Sequence, residues 1–266
     1  MPFTPAHIAA VLPLRNRWNL IWSALIVGSI APDFEYFLTL GPRTHRLHEF
    51  PQVVYLTLPA AFIVLWVVQK FLRAPVLEFL PTGIEERMDP KPFRFLGTRR
   101  LALIFLSLAI GIATHIAWDS FTHEDTMVTE HLSVEHRRVS LPVVGPKTVY
   151  KVLQWASSVA GLGLIGAYFW FWYTRTPPRR RIVPNHSKAA KFALWTLLTA
   201  AALAFSLRHT YVLFGGYPMV REMFVIALVT TMAALFWEVL AFSVFLQARR
   251  QWMMNSRTDV SARSTL

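Results

Sequence analysis

The sequence predicts an all-α, polytopic integral membrane bundle, with about five full spans plus a short or re-entrant N-terminal helical segment. Three observations predict it. The 266 residues are 54% hydrophobic and 14% aromatic, more apolar than an ordinary soluble domain. The apolar residues gather into runs of membrane length. The basic residues behind the net charge of +12 sit in short clusters between those runs. That is the pattern of cytoplasmic loops rather than of a nucleic-acid surface, so membrane lipid and no nucleic acid is the expected environment.

Residues 1–19 open with a helix start at Thr4 and Pro5, with His7 just inside it. Pro13, Arg15, Asn16 and Arg17 then break it. Trp18 to Ala31 is a run of about 14 apolar or small residues, too short for a full span and read as a short or re-entrant helix. It mimics a secretory signal, but Pro32 after the small residues argues against cleavage. Pro32 also stops the helix, which delivers Asp33 at a defined turn. The stretch "GPRTHRLHEF" then crowds His45, Arg46, His48 and Glu49 ahead of the next apolar run.

Val53 to Gln69 is the first convincing span, with Pro59 tolerated as a kink. A polar connection from Lys70 to Arg100 carries a surplus of Lys and Arg and is assigned to the cytoplasm. Leu101 to Trp118 is the second span. Phe121 to Tyr150 reads as a solvated polar loop, Val152 to Tyr173 as the third span, and Phe192 to Leu207 and Phe224 to Leu246 as the last two. Gly161, Gly163 and Gly166 in the third span permit close helix contact. Two basic loops on one side place the C-terminus in the cytoplasm of a bacterial cytoplasmic (inner) membrane.

The chemistry concentrates in Thr114 to Asp125, "THIAWDSFTHED". His115, Asp119 and His123 are spaced four and four, one stripe on a helix face. An imidazole and a carboxylate one turn apart can close on one metal ion. His115 and His123 are two turns apart, roughly 12 Å of rise, which puts Asp119 in the middle as a bridge between ions. Without cysteine, a metal must be held by His, Asp and Glu, which favours zinc, with manganese or iron as alternatives. Ionisable groups at the end of a span are costly and point to function.

The topology places the residues before Val53 and those after Trp118 on the same, external side. Asp33, His45, His48, His115, Asp119 and His123 can therefore converge, and His7 joins them only if residues 5–32 form a hairpin dipping partway into the membrane. The whole chain, 1–266, is read as one membrane domain, with the metal-site core in 1–170 and a basic loop plus two further helices in 171–266.

The blocks "MPFTPAHIAAVLPL", "GSIAPDFEYF", "THRLHEFP", "GIATHIAWDSFTH" and "YKVLQWASSVAGLGL" resemble an uncharacterised bacterial membrane family, domain of unknown function 4184. A weaker similarity extends to membrane-bound metal-dependent hydrolases with the pattern TH, PDxD, HRxxTH and HxxxDxxTH. Here PDxD reads "PDFE", with Glu35 as its second acid, and HRxxTH is replaced by "THRLHE", which leaves the choice between His45 and His48 open. The order of ligands is also similar to that of the helical zinc-dependent phospholipase C and nuclease fold. That likeness implies His7, Asp33, His45, His115, Asp119 and His123 as ligands for phosphodiester chemistry. Asp33 or Asp119 would bridge ions or orient water, and Arg46 would stabilise developing charge.

The function expected is a membrane-embedded, metal-dependent hydrolase of a phosphoester or lipid-linked substrate at the external face. The alternatives are a non-enzymatic transporter or scaffold, which calls for ionisable groups deep in the later spans such as Glu238, and a degenerate hydrolase that binds metal without turnover.

Overall fold

A computed structural model describes residues 3–40, 45–48, 50–89, 91–123, 126–131, 137–141, 145–179, 185–215 and 221–263. The architecture is all-α. Five helices are long and apolar enough to cross a membrane: Val53–Phe79, Thr98–Thr122, Val149–Arg175, Lys188–Leu213 and, within a longer helix, Met223–Ser256. The chain divides into two compact units. One comprises Met1–Phe34, Thr44–Leu65 and Arg94–Thr176, the other Glu35–Arg43, Trp66–Phe93 and Pro177–Leu266.

In the first unit, α1 (Thr4–Leu14) begins with Pro5 in its first turn, where a missing N–H costs nothing. It ends at Leu14, beyond which Asn16, Trp18 and Asn19 take positive φ of 64°, 47° and 56°. Asparagine tolerates that left-handed region better than most residues, so the sequence turns the chain sharply here. The chain returns as α2 (Trp22–Ile30), nine residues long. At 1.5 Å per residue such a helix covers roughly 14 Å, about half of a ~30 Å hydrocarbon layer. Residues 4–30 therefore form a helical hairpin, closed by Val11, Leu20 and Leu25 packed with Ile8, Leu14, Trp22 and Ile110.

The hairpin lies against α4 (Thr98–Thr122) at a glycine contact. A Cβ on Gly111 would stand 2.5 Å from the Leu25 carbonyl oxygen, and one on Gly28 would collide with the Leu108 backbone. Only residues without a side chain allow the two backbones to approach so closely. Gly161 of α6 (Val149–Arg175) does the same for α1, since its Cβ would sit 2.8 Å from the Ala6 carbonyl oxygen. The Phe3 N–H donates to Ser158 Oγ at 3.0 Å across the same contact.

The helix Val53–Phe79, α3, starts in the first unit and continues into the second. It carries two wide π-turns, Val53–Thr57 and Val68–Leu72, each shortly before a proline, Pro59 and Pro75. A proline cannot donate to the preceding turn, and the wider turn is one way the backbone accommodates that. The polar connection expected from Lys70 therefore starts later: the helix runs on to Phe79, carrying Lys70, Arg73 and Glu78. The region expected as a loop between Phe121 and Tyr150 holds the short helix α5 (Met127–His131) and a hairpin of β1 (Arg138–Leu141) and β2 (Gly145–Thr148). The strands are antiparallel, with Arg138 opposite Thr148 and Leu141 opposite Gly145.

The second unit contains the end of α3, the short helix Thr82–Glu85, α7 (Lys188–Leu213) and α8 (Arg221–Arg263). Ser206 Oγ donates to the Ala227 carbonyl at 2.5 Å, joining α7 to α8. Lys191, 5% exposed, pairs with Glu85 at 3.2 Å and donates to the Leu80 carbonyl at 2.7 Å. Arg250 holds Glu78 through both carboxylate oxygens, at 2.6 and 2.9 Å.

Candidate metal centre

Every member of the cluster belongs to the first unit. His115 and Asp119 come from the last turns of α4, His7 from α1, Asp33 from the 3-10 turn Ala31–Asp33 after α2, and His48 from the turn His45–His48 before α3. His7, Asp33 and His115 are essentially inaccessible, and Asp119 is 6% exposed. The accessible side is formed by His48 and His123, whose side chains are 17% and 18% exposed.

His115 is the hub. Its Nδ1 donates to the Ser29 carbonyl at 2.8 Å. Because a carbonyl can only accept, Nδ1 carries a proton and Nε2 is the nitrogen that faces the cluster. That Nε2 lies 3.1 Å from Asp119 Oδ2, 3.3 Å from His48 Nε2 and 3.8 Å from Asp33 Oδ1. The His7 ring stacks on His115 with centroids 3.8 Å apart, and His7 Nε2 is 3.4 Å from Asp119 Oδ1. The Thr4 hydroxyl donates to Asp33 Oδ2 at 2.5 Å and leaves Oδ1 turned to the imidazoles.

His123 meets Asp119 as its spacing predicts, but from just beyond the helix. The helix ends at Thr122, and His123 follows in extended conformation, φ −116° and ψ 151°. Its Nδ1 is 3.5 Å from Asp119 Oδ1 and 3.2 Å from the Asp119 carbonyl. The side chains of His45 and Arg46 lie outside the described residues, as does Glu49. Of the two histidines that the sequence leaves open, His48 has its ring in the cluster: its Nε2 is 3.5 Å from Asp33 Oδ1 and 3.6 Å from Asp119 Oδ2.

Two triads bring one ligand atom each within 4.8 Å of one another: His7, Asp33 and His115, and His48, His115 and Asp119. His115 offers one nitrogen, Nε2, and could serve one ion only, so a second ion would need a carboxylate as the shared ligand.

Electrostatics fit a cation. Both oxygens of Asp119, Asp33 Oδ1 and both nitrogens of His7 are buried without a hydrogen-bond partner. Among the described residues, no Lys or Arg pairs with either carboxylate. Buried carboxylates in that state cost several kcal/mol unless something positive compensates them. Burial, helped by the neighbouring His115, pushes His7 down to about 4, so it is neutral and able to donate a lone pair at neutral pH. Burial also opposes charge on His48, but the carboxylates of Asp119 and Asp33 outweigh it and raise His48 to about 9. Burial works against the Asp33 carboxylate too, and His48, His115 and Thr4 overcome it and hold its pKa below the ordinary value.

Two contributors escape a reading of the sequence. Thr4 looks like a helix start and Ser29 like part of a signal-like run, yet one orients Asp33 and the other fixes the tautomer of His115. Their roles depend on which loops meet, and no local pattern encodes that.

The fold and cluster define a membrane-type helical protein with a buried His/Asp group of metal-binding composition. The chain belongs to the family described as domain of unknown function (DUF4184), whose match covers residues 1–244. No curated protein and no solved structure matches it.

Proposed function

We propose that this protein is a membrane-embedded, metal-dependent hydrolase acting on a phosphoester or lipid-linked substrate at the external face of a bacterial cytoplasmic membrane. The observation that carries the proposal is the convergence of two buried carboxylates, neither paired with a Lys or Arg among the described residues, with three imidazoles at the end of a membrane-length helix. A mixed nitrogen and oxygen donor set without thiolate favours zinc, with manganese or iron next. His7, Asp33, His48, His115 and Asp119 hold the cation.

A divalent cation supplies Lewis acidity toward a phosphoryl oxygen and a water-derived nucleophile near neutral pH. The chain's own groups divide the remaining work. Asp33, fully buried and held by Thr4, is confined to charge compensation. Asp119, its two oxygens buried, lies against His48 and His123, the residues that form the open side. There it orients water, and His123 beside it takes up or returns a proton. Arg46, two residues before His48, is assigned to the developing charge on the substrate. The C-terminus is placed in the cytoplasm, in keeping with the basic loops.

The test is elemental analysis of detergent-purified protein beside His115→Ala and Asp119→Ala, followed by a phosphoester lipid screen. Zinc, manganese or iron in the parent, lost in both variants, with turnover that a chelator abolishes, supports the proposal. A parent that neither carries nor takes up metal overturns it.

A further inference from the structure

Beside the cluster lies an apolar groove of about 430 Å³ between the start of α3 and the last turns of α4. One wall is carried by Val54 and Leu58, the other by Ala113, Ile116, Ala117 and Ser120. Its volume is that of a ligand site, and Ser120 is the one polar residue in its lining. The Ser120 hydroxyl is already donated to the Ala117 carbonyl at 2.7 Å, so the groove presents a hydrocarbon surface. The alanines give it depth: Ala113 and Ala117, one turn apart, leave open space where larger side chains would fill it.

Both walls are carried by segments that also carry cluster residues. Ile116 follows His115 directly, and Ser120 follows Asp119. On the other side, Val54 is six residues beyond His48, and the Thr57 hydroxyl ties that segment back by donating to the Leu47 carbonyl at 2.7 Å. Groove and cluster thus occupy neighbouring faces of α4, at the same end of the helix. The cluster opens on the side of His48, which is the side from which α3 descends. Both walls belong to helices of membrane-spanning length, so the groove faces hydrocarbon rather than water.

We infer that this groove seats one hydrocarbon chain of the substrate, so that the enzyme takes a lipid phosphoester whose chain lies between α3 and α4 while its phosphoryl group reaches Asp119 and His48. The inference rests on the hydrolase reading of the cluster and narrows its substrate to an amphiphile. A water-soluble phosphoester has no group for the groove, and leaving it unfilled forfeits apolar contact worth about 25 cal/mol per Å² in water-based bookkeeping. Within the bilayer the gain is smaller, and the groove acts chiefly by orientation, holding the chain so that the headgroup arrives at the cluster.

The experiment uses full-length protein in detergent micelles with a phosphatidylglycerol analogue that carries a photoactivatable diazirine in one acyl chain. Labelled peptides are identified by mass spectrometry, and metal content is measured on the same samples. Label should concentrate on residues 53–58 and 109–120. It should fall several-fold in Ala113→Trp and in Leu58→Trp, which fill the groove from opposite walls. Leu197→Trp, on the exposed surface of α7, should leave it unchanged. Dodecyl phosphate should compete and glycerol phosphate should not.

Equal labelling of α7 and α8, indifference to both groove-filling variants, or a cross-link to a second copy of the chain at these positions would overturn the inference. Retained metal in Ala113→Trp shows that the variant is folded. Scattered label with metal present removes the groove and spares the hydrolase reading. Groove label in a protein that takes up no metal removes the hydrolase reading, and with it the assignment of the bound lipid as substrate.

Discussion

The Nδ1–H of His115 donates to the backbone carbonyl of Ser29 at 2.8 Å, joining the last turns of the long helix α4 to the last turn of the short helix α2. This bond decides which nitrogen of the central imidazole is available. Replacing His115 by alanine removes the hub of both triads, so the purified variant should carry essentially no metal while its far-UV circular dichroism stays that of the parent. Metal retained at parental stoichiometry would show that the ion is held elsewhere.

Thr4 offers a gentler probe. Thr4→Val keeps the shape and removes the hydroxyl that restrains Asp33. Losing an outer-sphere partner of this kind weakens metal affinity about 10- to 100-fold. Competition with a chelator of known affinity would measure the change, and an unchanged affinity would show that Asp33 is oriented by other contacts.

Gly111→Ala tests the packing beneath the site. The new methyl would stand 2.5 Å from the Leu25 carbonyl oxygen and 2.7 Å from the Ser29 nitrogen, so α2 must move, taking the Ser29 carbonyl with it. Overpacking of this kind costs about 1–3 kcal/mol. The melting temperature should drop together with metal affinity, whereas Gly163→Ala, where a Cβ meets nothing within 4 Å, should change neither.

Proton linkage gives opposite signs with and without metal. In chelator-treated protein, His48 binds its proton more tightly folded than unfolded. The stability it contributes is complete below pH about 6.5 and is lost as the pH rises through about 9. His7 is depressed, so its part is lost as the pH falls from about 6.5 through about 4. Thermal stability of the metal-free protein should therefore peak near pH 6.5. Metal binding must displace the His48 proton, so calorimetry at pH 7 in buffers of different ionisation enthalpy should reveal release of about one proton. A buffer-independent heat would contradict His48 as a ligand.

In the second unit, Lys191→Met should lower stability by about 3 kcal/mol, because it leaves Glu85 without its cation in a largely buried setting. Metal content should not change, since no described member of the cluster belongs to that unit. Parallel loss of metal would mean that the two properties are coupled.

The five spans were legible because long apolar runs between basic clusters admit few other folds, but their ends were not. Lys70 and Arg73 extend α3 beyond its apolar run because long basic side chains can sit along a helix and reach outward. Four-residue spacing places both His115 and His123 against Asp119, but not the end of the helix at Thr122, which leaves His123 in extended conformation. Of the three glycines singled out in the third span, Gly161 meets Ala6, whereas Gly163 and Gly166 meet nothing within 4 Å. Whether a glycine is a contact depends on a partner that may be a hundred residues away, and Gly28 and Gly111 gave no local sign of theirs.

The position of the cluster along the chain has a consequence for biosynthesis. All its described members, from His7 to His123, precede the third span. A chain emerging from the ribosome in order has presented every one of these donors before α7 and α8 are made. Segments made first can fold first, so the order of synthesis allows the cation to be captured on a nascent chain before the last two helices exist.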